Sequence, residues 1–396
     1  MRIINFYILK EHIFPFFMSL GMILFIFVLN IIMKMMTTFV GKGLDLLVIL
    51  EFFYLSLGWI LALAIPMSVL VASLMAYGRL SQDNEWSVMQ SSGISIYQVM
   101  APAIIAGIFL SFGMFYFHNN ILPEMNHQSK ILKSSITKKK PLAAIEPGIF
   151  VTDIPGFVIK AQQVDNERNE LFKIILLENS RTGKFRRTIT ADRGKLVYDQ
   201  GIKRYRITLN DGEIANLDPQ KPDGYFRSKF SKMELTKEVS GIDFEVNDKN
   251  NYGDREKSAD SLKAKIVRLK RDNASAILIS QVEVEYHKKF ALSFACIVMI
   301  LIGAPLGLMS GRGGLGGSAT MSILVFMVYW LFLISGEDLA DRGKLDPFYA
   351  MWNANIIIGI LGLVLIRYAS RGVKISFAWL KTLTSYVVYP FRKLLK

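Results

Sequence analysis

Between two long apolar runs lies "GRLSQDNEWSVMQSSGIS", Gly78 to Ser95, where Arg79 faces two carboxylates, Asp83 and Glu85. If Gln82 to Gln90 form a short helix opened by a capping Ser81, both acids fall in its first turns, where the helix dipole favours them. That alone would account for the acids. It does not account for Trp86, Val88 and Met89, large apolar residues that a short solvated helix has no reason to expose unless headgroups or a protein groove covers them. Anionic inner-leaflet lipid would repel the acids. A protein groove offering Arg or Lys beside an apolar slot suits both features, and that is a helix-in-groove contact. The chemistry here is recognition.

Catalytic arrangements are not found elsewhere. His12, His118, His127 and His287 have no partners at metal-ligand spacing, and no G-x-S-x-G elbow occurs. "GRGGLGG", Gly311 to Gly317, has the glycines of a phosphate-cradling loop without its lysine and hydroxyl, so a tight connection between spans is the better reading. The single cysteine, Cys296, sits in an apolar run, which rules out a disulfide framework or thiol metal cluster within one chain. Lys34 and Lys42 flank the end of the first apolar run. Such lysines commonly snorkel to the interface.

The elements that carry these residues are membrane helices. The chain of 396 residues is 52% hydrophobic, with 27 Phe, yet bears a formal net charge of +14; that combination indicates a membrane protein with a sizeable polar part. A hydrocarbon core about 30 Å thick takes about 20 apolar residues. Stretches of this kind run from His12 to Met33, Phe52 to Tyr77, Tyr97 to Leu122, Phe290 to Ser310, Leu315 to Ser335 and Phe348 to Ile366, all free of Asp, Glu, Lys and Arg. The first exceeds a signal-peptide core and no A-x-A-like site follows it, so it is expected to stay. The tail beyond Ile366 carries Arg367, Arg371, Lys374, Lys381, Arg392, Lys393 and Lys396 and no acid. It therefore belongs in the cytoplasm, and with six spans so does the N-terminus. The acidic loop is then cytoplasmic, whereas residues 34–51, 123–289 and 336–347 face outward.

The insert between spans three and four changes to alternating patterns. "GIFVTDIPGFVIKAQQVD" reads as two strands about the turn Ile154-Pro155-Gly156, and Phe172 to Leu177, Lys184 to Thr190, Lys195 to Tyr198, Arg204 to Leu209 and Glu213 to Leu217 read as further strands separated by turns such as "LNDGE". This predicts an all-β domain, an open sandwich or roll or else a small barrel. Beyond it, Asp260 is a candidate N-cap for "SLKAKIVRLKRD", and a second helix runs through "VEVEYHKKF" into span four. The insert has more Lys and Arg than Asp and Glu, which fits a solvated surface or attraction to an anionic ligand. Nucleic acid is a poor partner for an outward-facing domain without a recognised binding motif.

Three stretches resemble one family. "GRLSQDNEWSVMQSSGISIYQVMAP", "YHKKFALSFACIVMILIGAPLG" and "GEDLADRGKLDPFYAMWNANI" are similar to segments of the lipopolysaccharide-export permease family (LptF/LptG), and the order of three spans, outward β-domain and three spans matches. The resemblance implies a six-span α-helical membrane protein of the bacterial inner membrane with an inserted periplasmic, jellyroll-like β-domain. The expected divisions are 1–125 for spans one to three with a cytoplasmic coupling helix at about 81–91, 126–255 for the β-domain, 256–289 for a helical linker, 290–370 for spans four to six, and 371–396 for the basic tail. It implies a transport subunit with no cofactor of its own, ATP and Mg being used by a separate cytoplasmic ABC ATPase dimer. A second permease chain, paralogue or identical copy, periplasmic jellyroll bridge proteins and lipopolysaccharide are the other implied partners. Glu85 matches the family's coupling-helix glutamate, with Asp83, Trp86 and Met89 in the same segment; Lys34 matches a cavity lysine of one permease type, and Lys42 lies near it. The competing readings are a non-transporting scaffold coupled to an ATPase and a membrane-anchored envelope enzyme.

Overall fold

The structure, a computed structural model, describes residues 2–39, 46–139, 145, 147–151, 157–165, 168, 170–179, 185–199, 204–216, 226–238, 252–310 and 314–371. The elements in chain order are α1 (Arg2–Phe39), α2 (Leu46–Gln82), α3 (Glu85–Ser91), α4 (Ile96–Tyr116), a π-helical turn (Phe117–Ile121), α5 (Leu122–Lys139), β1 (Phe157–Asp165), β2 (Glu170–Asn179), β3 (Phe185–Asp199), β4 (Arg204–Asn216), β5 (Phe226–Glu238), a 3₁₀ turn (Asp254–Glu256), α6 (Ala259–Arg271), α7 (Ala276–Ser310), α8 (Gly314–Asp341) and α9 (Pro347–Ser370). Among the described residues six helices are long and apolar enough to cross a membrane, and they fall on the six runs expected. The chain is an integral membrane protein. It divides into two compact units, residues 1–27, 58–124 and 254–396 in one and residues 28–57 and 125–253 in the other.

In the first unit α7 is the central helix, packed against α4, α6, α8 and α9 and the most deeply embedded of the spans. Small residues allow this. A Cβ at Gly303 would stand 2.8 Å from Ser73 Cβ, and one at Gly307 would stand 2.8 Å from the Leu74 carbonyl and 2.9 Å from the Gly78 nitrogen, so α2 and α7 cross with their backbones nearly touching. Gly362 meets the Leu301 carbonyl of α7 in the same way. The core beneath holds Leu70, Leu74, Tyr77, Met299, Ile302 and Ile358.

In the second unit the described strands form one antiparallel sheet in the order β1-β2-β3-β4-β5, with an apolar face built on Phe157, Ile159, Leu176, Ile189 and Leu209. The expected short strands are fewer and longer. Lys184 to Thr190, from Phe185 on, and Lys195 to Tyr198 belong to the single strand β3, Arg204 to Leu209 and Glu213 to Leu217 to β4 as far as Asn216, and β5 was not expected at all. "LNDGE" is a kink inside β4: Asp211 takes φ 53°, as Lys173 does in β2 with φ 48°, while the pairing of Asn210 with Arg193 and of Gly212 with Ala191 keeps one register. The kink reverses the alternation, so that Ile207 and Leu209 before it and Gly212 and Ile214 after it share a face. The turn Ile154-Pro155-Gly156 lies outside the described residues; Val151 bridges to Ile159 antiparallel.

Candidate functional site, the α2–α3 corner

The acidic stretch folds into a corner with defined stops. α2 continues to Gln82, and Asn84 in the left-handed region, φ 58°, breaks it; asparagine tolerates this conformation better than most residues. The short helix is α3, Glu85–Ser91, rather than Gln82 to Gln90. Ser81 does not cap it, because its hydroxyl donates to the Leu308 carbonyl of α7 at 2.8 Å. At the other end Gly93, φ 82°, lets its own N–H reach the Gln90 carbonyl and lets the Ile94 N–H reach the Met89 carbonyl, a Schellman stop. Ser95 and Gln98 then form a capping box that opens α4.

This geometry sorts the expected site residues. Glu85 stands in the first turn of α3, half-buried, and its carboxylate accepts a hydrogen bond from the Tyr7 hydroxyl of α1, 2.8 Å from Oε2 and 3.0 Å from Oε1. Asp83 lies before the helix, 3.5 Å from Arg79, whose guanidinium also reaches Glu11 of α1 at 2.7 Å. The expectation that Trp86 is displayed to a partner is corrected: it is 7% exposed and belongs to the core, and Met89 packs partly buried against it. Burying the indole is what seats so short a helix. Val88, 63% exposed, is the apolar residue α3 presents. Gln90 adds a tie to α9 through the Ser370 carbonyl at 3.2 Å. Lys34 lies on α1, and Lys42 lies outside the described residues, as do residues 372–396 of the basic tail and Gly311 to Gly313 of the glycine loop.

Two features carried no sign in the sequence. Tyr7 lies ahead of the first uncharged run, His12 to Met33, and nothing near it along the chain marks it. Lys289, within "YHKKF", is buried and donates to the His118 carbonyl at 2.7 Å, in the π-helical turn whose widened pitch changes how carbonyls are paired. Beside it Lys288 joins Glu285 and Glu337 at 3.1 and 2.6 Å, and Arg255 reaches the same two carboxylates at 3.0 and 3.4 Å. In the second unit a shallow cavity of about 650 Å³ over the sheet is lined by Lys160, Lys173 and Lys229 together with Asp192, Asp211 and Glu213, so the insert's surplus of base is not concentrated there.

The profile of the family described as lipopolysaccharide export system permease LptF/LptG matches residues 6–368. The chain belongs to this family. The LptF/LptG match takes in the corner, the β-insert and all six spans, and it makes the chain a permease of lipopolysaccharide export and a transport subunit without a catalytic domain. The chain is similar to the lipopolysaccharide export system permease protein LptF of Escherichia coli K12, at 25% identity over 318 residues, 76% of this chain and 78% of that protein. The LptF proteins of Escherichia coli O6:H1 and Shigella flexneri match to the same extent.

Proposed function

We propose that this LptF/LptG permease takes up lipopolysaccharide from the outer leaflet of the bacterial inner membrane and is driven through α3 by a separate cytoplasmic ABC ATPase dimer that binds the ATP and Mg. The observation that carries the reading is α3 itself, a short helix stopped at both ends between spans two and three, with the Glu85 carboxylate in its first turn and Val88 displayed. A basic groove on the ATPase would meet that carboxylate and apolar contact together. Trp86 and Met89 serve by seating α3 in the bundle, and Asp83 by holding Arg79, so Glu85 is the residue that touches the partner. Both termini lie in the cytoplasm and the β-domain in the periplasm, where it hands lipid to jellyroll bridge proteins. A second permease chain completes the pair, and Lys34 and Lys42 hold lipopolysaccharide phosphates.

Glu85→Ala tests the reading. The variant is expected to insert normally while its association with the ATPase weakens about 10- to 100-fold, as loss of a charge-assisted hydrogen bond implies. Undiminished copurification and export would overturn the role given to α3. For the cargo, photocrosslinking from the outward half of the first span should capture lipopolysaccharide in the assembled complex; absence of adducts there would remove the lipid-cavity reading.

A further inference from the structure

The first span is the least embedded of the six, and Phe6, Phe14, Phe17 and Phe25 along it stand exposed. Its first turns are nonetheless tied to the α2–α3 corner by two polar contacts. Tyr7 and Glu11 are four residues apart, one turn along the same face of α1; Tyr7 donates to Glu85 on α3, and Glu11 takes Arg79, on the last turn of α2, at 2.7 Å. Between them Ile8 is fully buried in the shared core, and Trp86 is buried in the same core from the α3 side. The corner is therefore gripped on its α1 flank through both helices that meet there, and the Tyr7 hydroxyl is the contact that reaches α3. A carboxylate offers about four acceptor positions, and one hydroxyl proton occupies at most two of them. Glu85 can hold Tyr7 and a cationic partner at once.

We propose that Tyr7 is a positioning residue of the transport cycle: its hydroxyl ties Glu85 to the first span, so that a displacement imposed on α3 carries the first span with it. The inference rests on α3 being the coupling helix, and it adds the route by which the motion leaves α3. The hydrogen bond also holds the Glu85 carboxylate in one orientation before the ATPase arrives.

The test uses the assembled transporter, with both permease chains and the ATPase, in lipid nanodiscs containing lipopolysaccharide. Tyr7→Phe keeps the ring and its packing and removes only the hydroxyl. Glu85→Gln keeps an acceptor for Tyr7 and removes the charge. The Tyr7→Phe complex is expected to retain its ATPase and hydrolyse ATP while releasing about tenfold less lipopolysaccharide per ATP, the scale of one hydrogen bond to a charged group; Glu85→Gln is expected to lose ATPase association instead. Spin labels at Phe6→Cys and Ser91→Cys, both exposed sites, should keep their separation when nucleotide is trapped in the parent and change it in Tyr7→Phe; the buried Cys296 adds little background. Unchanged lipid release per ATP, or an unchanged label separation, in Tyr7→Phe overturns the proposal. If Glu85→Gln also behaves as the parent, the coupling reading has failed and the tie with it; if Glu85→Gln loses the ATPase, only the tie has failed. Should Tyr7→Phe not assemble, Glu11→Gln with Arg79→Gln tests the same flank, and a label separation that stays constant there with full export overturns the lever.

Discussion

At the scale of single residues, the same side-chain type takes different roles according to what surrounds it. Asp83 and Glu85 are two positions apart, yet one is an exposed partner for Arg79 and the other a half-buried acceptor for Tyr7. Asp254 shows the electrostatic counterpart. Burial alone would raise its carboxyl, but Lys265, at 2.6 Å, and Lys257, at 3.3 Å, together hold it below the usual carboxylate range. A carboxyl depressed in the folded state contributes stability that is complete above its unfolded value, near 3.9, and is lost as pH falls through the lower folded value. Asp254→Asn is therefore expected to loosen the 3₁₀ turn against α6 by about 1 kcal/mol at neutral pH, discounted for solvent screening. Hydrogen exchange of the α6 amides should show the same difference from pH 5 to pH 8, with parent and variant converging only below about pH 4.

At the scale of elements, local stops and close approaches decide what hydropathy cannot. Gly303 and Gly307 are compatible in sequence with kinks or with close packing, and the structure shows close packing of α7 on α2. Gly307→Val would drive two methyl groups into the Leu74 carbonyl and the Gly78 backbone, and overpacking of this kind costs about 1–3 kcal/mol or more; a lowered melting temperature of the purified permease, with Gly317→Ala in open space as the control, checks it. α6 is opened by Ser258, whose side chain accepts from the Ser261 amide, rather than by Asp260, since only a residue just outside the helix can cap it. In the sheet, the alternation visible in "RYRITLN" predicts one strand correctly, and its failure at Asn210 to Gly212 reads as a turn. The chain instead kinks in place through Asp211 and continues on the opposite parity, which no pattern of fixed period can represent. β5, "FRSKFSKMELTKE", hides for the same reason: its partner β4, not its own mixed pattern, makes it a strand.

At the scale of the whole molecule, the charge distribution predicts a topology that labelling can test. Ser91→Cys on α3 and Lys263→Cys on α6 are exposed, and a membrane-impermeant maleimide should reach the first only from the cytoplasmic side and the second only from the periplasmic side, against the silent background of buried Cys296. The six spans, the β-insert and the segment holding Glu85 were legible in the chain itself, because crossing a bilayer demands long uncharged runs and because alternation and helical periodicity are local properties. Three-dimensional packing alone decided which side of α3 faces inward. Trp86 is buried and Val88 displayed because the short helix closes against a core assembled from α2, α4 and α7, and Glu85 acquires Tyr7 because α1 returns to the corner across 78 residues of chain. Contacts of that sequence separation depend on how distant elements meet, and no window along the chain contains both partners.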